Sequence, residues 1–483
     1  MKFTVAADQF VNSLNKLSSI VPTKSPLPIL GNVLLILEGN NLEMLASDLE
    51  TFIRTKTSVK GKEDGRVTVP FKKLSDLSKS LLASLISVPL KVKFEKATYY
   101  NLRDEEKLSD VFANKFKYDS SEESLVYMGI LTSLDKEKID LMIDENQKYI
   151  DSTIEEGNPG VLSDSNKKFK NAVEELHKKS EKFLEKKTLD ISVDGKSRMT
   201  LKTQNNKKYN FSGEAADDFP LPEENNHLKS LKINNTVLKR LIGKVFHAAN
   251  KDEIRRQMSG VLLEAKEEEI RSVATDGYRL AKLIYKTTHK GIADSRIVIP
   301  VKTCNLIQRL SGEAGTVEIQ FDENDLRIFF PDAEIYSKLI DETFPNYESV
   351  IPNDGNKTLR IVKKELQDSL HRALICADVI TKRVKMEIKN NTVTITSENP
   401  ETGTEAEETL PCNFTAMSGD ADFDATPFTT AFNTGFLLDA VNQIETNEII
   451  FKMNQPSKAS IAYPTEQPDN EDFIELIMPV RVS

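Results

Sequence analysis

Only three cysteines occur in the chain, Cys304, Cys376 and Cys412. They are far apart and odd in number, which argues against a disulfide framework and a cysteine-built metal site and suits a reducing compartment. No run of 18 apolar residues exists, so no membrane-spanning helix is expected. The opening M-K-F-T-V-A-A-D-Q-F has one lysine and no apolar core, so no secretory leader is expected and a cytoplasmic location follows. His177, His227, His247, His289 and His371 never pair at ligand spacing. The chain also lacks a Walker A loop, H-E-x-x-H, G-x-S-x-G and G-x-G-x-x-G. These absences point to a non-catalytic protein without metal or cofactor. A net charge of -10 excludes a uniformly basic coat, though not a basic surface facing one way.

What is present is repetition. At 483 residues the chain is long enough for several domains. Three segments share a short strand followed by an amphipathic helix: K-F-T-V-A-A-D-Q-F-V-N-S-L from Lys2, L-K-I-N-N-T-V-L-K-R-L from Leu231, and L-R-I-V-K-K-E-L-Q-D-S-L from Leu359. A proline opens a second helix in the first two copies, at Pro70 and Pro300, and A-F-N-T-G-F-L-L-D-A-V from Ala431 takes that place in the third. Phe3 to Pro70 and Ile233 to Pro300 both span 67 positions. L-A-S-D-L-E-T at Leu45 and V-A-T-D-G-Y-R at Val273 fall in equivalent places between them. With alternating segments such as Thr316 to Phe321 read as half-buried strands, the expected architecture is α+β repeated three times, with domains at 1–226, 227–354 and 355–483.

The first copy is interrupted. Pro70 to Pro220 is 150 positions, whereas the matching Pro300 to Pro345 is 45, leaving about 105 extra residues, placed near 83–187. Two segments, P-L-K-V-K-F-E-K and D-I-S-V-D-G-K, suit the strand slot of this copy, and only one can occupy it. Helical patterns at Lys136 to Ile150 and Lys168 to Leu184, the second with Phe169, Val173, Leu176 and Leu184 on one stripe, predict a small, mostly helical, outward-facing insert.

Positive charge gathers on the repeated helices. Across Asn235 to Asn250, Leu238, Leu241, Ile242, Val245 and Phe246 form the apolar stripe, while Arg240, Lys244, His247 and Lys251 follow another face. Arg255 and Arg256 come next, and Lys72, Lys73, Lys79, Lys302, Arg309, Arg372, Lys382 and Arg383 sit on related elements. Several basic faces on an acidic protein predict one shared polyanion held by its phosphates, without reading of bases. The stretch R-S-V-A-T-D-G-Y-R-L-A-K-L from Arg271 reads as a hairpin with an Asp-Gly turn. The rival reading, a metal-dependent phosphodiesterase using Asp48 and Asp276, has two carboxylates in separate repeats and no cluster around either. A third is an assembly scaffold that never surrounds the polyanion.

Taken in order, M-K-F-T-V at Met1, L-P-I-L at Leu27, A-S-D-L-E at Ala46, V-A-T-D-G-Y-R-L-A at Val273 and L-I-M-P-V-R at Leu476 make the chain resemble the bacterial sliding-clamp family, the beta subunit of DNA polymerase III. The resemblance covers nearly everything except the insert. It implies a head-to-tail homodimeric ring with helices inside and antiparallel sheets outside, encircling duplex DNA and tethering the replicative polymerase. It also implies a separate clamp loader and other partners carrying short clamp-binding peptides. The family's peptide cleft maps onto Met258, Thr275, Gly277, Tyr278, Arg279 and Leu280, then Pro345, Ser349 and Val350. It continues onto Ile380, Asn433 and Phe436, and ends at Ile477, Met478, Pro479, Val480 and Arg481. Tyr278 stands where a histidine is common and Ser349 where a basic residue often lies. The implied DNA contacts are Lys24, Lys73, Lys251, Arg255, Arg256 and Lys302, whereas Asp252 would repel phosphate at its position.

Overall fold

The computed structural model describes the chain outside residues 23, 26, 87–89, 96–115, 120–123, 130–166, 168–169, 172, 176, 179–186, 224–227, 289–293, 313–314, 390, 417–426 and 482–483. It divides into two compact units, one of residues 1–48 and 53–221, the other of residues 49–52 and 222–483.

In the first unit, strand Lys2–Ala6 runs straight into helix α1 (Ala7–Leu17), whose Phe10, Val11, Leu14 and Leu17 are buried. Pro70 ends a strand, and helix α2 (Phe71–Ile86) begins at the next residue and packs on α1. Proline suits this position because the first-turn N–H groups of a helix have no intrahelical partner. Strand Lys2–Ala6 pairs antiparallel with Thr188–Val193, Phe3 opposite Ile191, and that pair sits within a five-stranded sheet. The same pairing recurs in the second unit, where Lys229–Asn234 pairs with Thr316–Phe321 and Lys357–Val362 with Glu448–Met453. D-I-S-V therefore holds the strand slot of the first copy. Pro70 precedes Thr188 by 118 positions and Pro300 precedes Thr316 by 16, so the insert lies between α2 and Thr188.

Among its described residues the insert holds strands as well as helix. Leu90–Glu95, Ser124–Gly129 and Phe116–Asp119 form a three-stranded antiparallel sheet. The alternation of L-K-V-K-F-E, read as a rival for the native slot, is that of a strand serving this separate sheet. Described residues between Lys167 and Lys178 are helical and Val173 is buried, in line with the second helical pattern. Phe169, Leu176, Leu184 and the Lys136 to Ile150 pattern lie outside the described residues.

In the second unit, helices α3 (Asn235–Gly243) and α4 (Val301–Leu310) pack together, as do α5 (Lys363–Cys376) and α6 (Thr434–Gln443). Asn433 stands where Pro70 and Pro300 stand, and its side chain caps α6 by accepting from the Gly435 and Phe436 N–H groups. The second and third repeats share one nine-stranded sheet. They join where Arg279–Lys286 pairs antiparallel with Glu471–Ile477, Arg279 opposite Ile477 and Ala281 opposite Glu475. One face of that junction buries Leu262, Val273, Leu280, Val298 and Leu476 under Phe344 and Tyr347.

Candidate functional site

The hairpin predicted at Asp276 is present, with Thr275 opposite Leu280 across the turn. The Asp276 carboxylate accepts from the Tyr278 N–H at 2.8 Å and the Arg279 N–H at 3.0 Å, which closes the turn locally. Gly277 adopts φ +91°, a conformation that side chains disfavour, and a Cβ there would meet an Arg255 guanidinium nitrogen at 3.2 Å. Thr275 Oγ1 donates to the Arg279 carbonyl at 2.6 Å and accepts from the Gly277 N–H. Asp276 is therefore a turn former whose oxygens are committed to the chain itself. Among the described residues no three His, Cys, Asp or Glu side chains gather to hold a metal ion.

Arg279, only 6% exposed, is the hub of the site. Its guanidinium donates to Asp276 at 3.1 Å, to Asp439 of α6 at 2.6 Å and to the His247 carbonyl at 2.7 Å, and it lies 4.4 Å over the Phe436 ring. Asn433 donates to the Thr381 carbonyl, tying α6 to the 378–382 turn. The Met478 N–H donates to the Tyr278 carbonyl and the Val480 N–H to the Ala431 carbonyl, so the chain end is stitched to both repeats. On the other side, segment 345–350 is pinned to the sheet. The Tyr347 hydroxyl donates to Glu264 at 2.9 Å, Arg271 donates to Glu348 at 2.6 Å, and burial pushes the Tyr347 hydroxyl up to about 12.

The expected cleft residues thus fall into two sets. Met258, Thr275, Arg279, Leu280 and Ile477 are buried and form floor and frame. Tyr278, Val350 and Met478 are 60%, 54% and 40% exposed, with Ser349, Val480 and Arg481 also open and Pro345, Pro479, Asn433 and Phe436 half-buried. Ile380, 88% exposed, sits in the 378–382 turn whose Thr381 carbonyl meets Asn433. An apolar floor beneath an exposed apolar rim, edged by ordered backbone, suits a short extended peptide with apolar side chains.

The basic face of α3 is corrected by its partners. Arg240 forks onto Glu471 at 2.5 Å and Glu445 at 2.8 Å, and Lys244, nearly buried, reaches Glu445 at 2.8 Å and the Gln443 carbonyl. His247 Nε2 lies 3.2 Å from the wholly buried Glu475. Hydrogen bonding from Arg240 holds the Glu445 carboxyl down at about 2. Arg240, Lys244 and His247 therefore fasten the second repeat to the third instead of meeting an external polyanion. Lys24, Lys73, Lys251 and Lys302 are exposed. Arg255 lies against the Gly277 turn, and the exposed Arg256 is 3.7 Å from Glu342. Asp439 and Glu475 went unnoticed in the sequence. The only signal was the i,i+3 spacing of Phe436 and Asp439, which puts both on one side of α6.

Comparison with known proteins places this geometry. Family models for the DNA polymerase III beta subunit match in order: the N-terminal domain at residues 1–116, the central domain at 232–346 and the C-terminal domain at 348–481. The beta sliding clamp of Buchnera aphidicola subsp. Rhopalosiphum padi is 30% identical over 321 residues, covering 66% of this chain and 82% of that protein. The beta sliding clamp of Pseudomonas aeruginosa is 24% identical over the full length of both. A crystal structure of the Pseudomonas aeruginosa clamp bound to griselimycin superposes with a TM-score of 0.71 at 22% identity, each chain fully covered. No described helix is long and apolar enough to cross a membrane. The chain belongs to the DNA polymerase III beta subunit family, the beta sliding clamps.

Proposed function

We propose that this protein is a replicative processivity factor: a non-catalytic ring of two chains that encircles duplex DNA in the cytoplasm. It tethers the replicative polymerase and other partners through the cleft between its second and third domains, and a separate clamp loader opens it. The observation that carries the reading is the cleft itself, an apolar floor and rim where the central and C-terminal family domains join. The domains are 1–226, 227–354 and 355–483. Lys24, Lys73, Lys251, Arg255, Arg256 and Lys302 are the proposed phosphate contacts, and Arg255 also lies against the Gly277 turn. A topological link lets such weak, salt-sensitive contacts coexist with lasting attachment.

Two open sheet edges support ring closure. Strand Thr404–Pro411 ends its four-stranded sheet and carries exposed Glu405 and Glu407. Strand Lys208–Ser212 ends the five-stranded sheet beside exposed Lys196, Arg198 and Lys202. An acidic edge and a basic edge on one chain suit head-to-tail pairing, which closes when both are used twice. Electron microscopy of the purified protein tests the reading: two-subunit rings with an open centre are expected. Monomers or filled particles would leave only a peptide-binding scaffold.

A further inference from the structure

Resting on the cleft reading above, we propose that Asp439 is a positioning residue for ligand capture: it holds Arg279 and, through it, the third-domain wall of the cleft, without touching the ligand. Arg279 places its planar fork on three separate elements. Asp276 belongs to the same turn as Arg279 and the His247 carbonyl to the preceding short helix, so among the described residues Asp439 is the partner that the third repeat supplies to this fork. A guanidinium is planar with its N–H groups in a fixed fork, so a carboxylate at one edge fixes the tilt of the whole plane. That tilt decides whether the plane lies flat on Phe436, one turn back on the same side of α6.

The rest of the wall is already fixed by other means. Asn433 caps α6 and bonds the Thr381 carbonyl, and the Arg279 backbone is tied to Thr275. The Arg279 side chain is held by its own three hydrogen bonds, and the Asp439 bond, at 2.6 Å, is the shortest of them. Without Asp439 the carboxylate still hydrogen-bonded to Arg279 is Asp276 of its own turn, so the fork loses the bond that draws it toward α6 and the Phe436 face. The Asp439 side chain is itself 46% exposed, so its removal opens no core cavity. Its loss should register in binding before it registers in stability.

The test is calorimetric titration of the intact protein with griselimycin and with a synthetic peptide ending in Leu-Phe, alongside thermal melting. Asp439→Ala is expected to weaken both ligands about tenfold or more, the scale of a charge-assisted hydrogen bond. Asp439→Asn, which keeps an acceptor at the same place, should stay within about threefold of wild type. In an Arg279→Ala background, Asp439→Ala should add less than about twofold, because a residue acting through Arg279 has nothing left to position. Wild-type affinity in Asp439→Ala, or a loss that adds in full to that of Arg279→Ala, overturns the proposal alone. Failure of the wild-type protein to bind either probe overturns the cleft reading and the proposal with it.

Discussion

Replacing Arg240 by alanine separates two roles that a basic helix face can have. Arg240 makes one pair with Glu471, whose side chain is 6% exposed, and one with Glu445, whose side chain is 60% exposed. The exposed pair contributes about 0–1 kcal/mol. The shielded, forked pair has charge-assisted hydrogen bonds worth about 1.5–3 kcal/mol, and its loss leaves Glu471 under cover without its cation. The expected destabilisation is therefore about 2–4 kcal/mol. For a folded unit of this size that lowers the melting temperature by roughly 5–12 °C. DNA binding should respond differently. A phosphate-contacting arginine would, on removal, reduce the slope of log affinity against log salt by about 0.9. Arg240→Ala should leave that slope unchanged, while Lys251→Ala, which removes an exposed charge just past the helix, should reduce it. Melting within about 1 °C of wild type, together with a slope reduced by about one, would refute the seam and restore Arg240 to the DNA face.

Glu475 gives a pH dependence of definite sign. Burial pushes its carboxyl up, against the pull of His247, Arg279 and Lys244, so the folded chain keeps this proton where the unfolded chain has lost it. Stability should decline as pH rises from the unfolded carboxylate range through the raised folded value, and Glu475→Gln should flatten that decline in melting curves taken across pH. Leu49 sits at φ 86° in the first repeat, where the second has Gly277, so Leu49→Gly should be more stable than Leu49→Ala by about 1 kcal/mol in urea titrations. Cys304 is buried with its thiol pushed far up, and should react with a thiol reagent only as fast as the protein unfolds. Cys412, half-buried and pushed up to about 11, should react slowly at neutral pH and faster in alkali.

What was legible in the sequence is what the chain decides locally. The repeats show because each copy spends the same few residues on a strand, a helix start and an Asp turn, and the Asp276 turn is closed by partners two and three residues away. The strand slot of the first copy was not legible. L-K-V-K-F-E and L-D-I-S-V alternate equally well, and only the pairing of Phe3 with Ile191 chooses between them. The basic face of α3 failed for the same reason at longer range. Its anions arrive 205 and 231 residues later, and a helical wheel contains no trace of them. Yet the composition held a warning. In a chain of net charge -10, a cation buried near a domain junction meets its own protein's carboxylates at far higher effective concentration than any external polyanion. Partly desolvated pairs of that kind are also screened less by salt than contacts across open solvent. Lysines and arginines at the end of a helix that packs on another repeat are therefore first candidates for that repeat's acids. Only those left exposed, such as Lys251, are candidates for DNA.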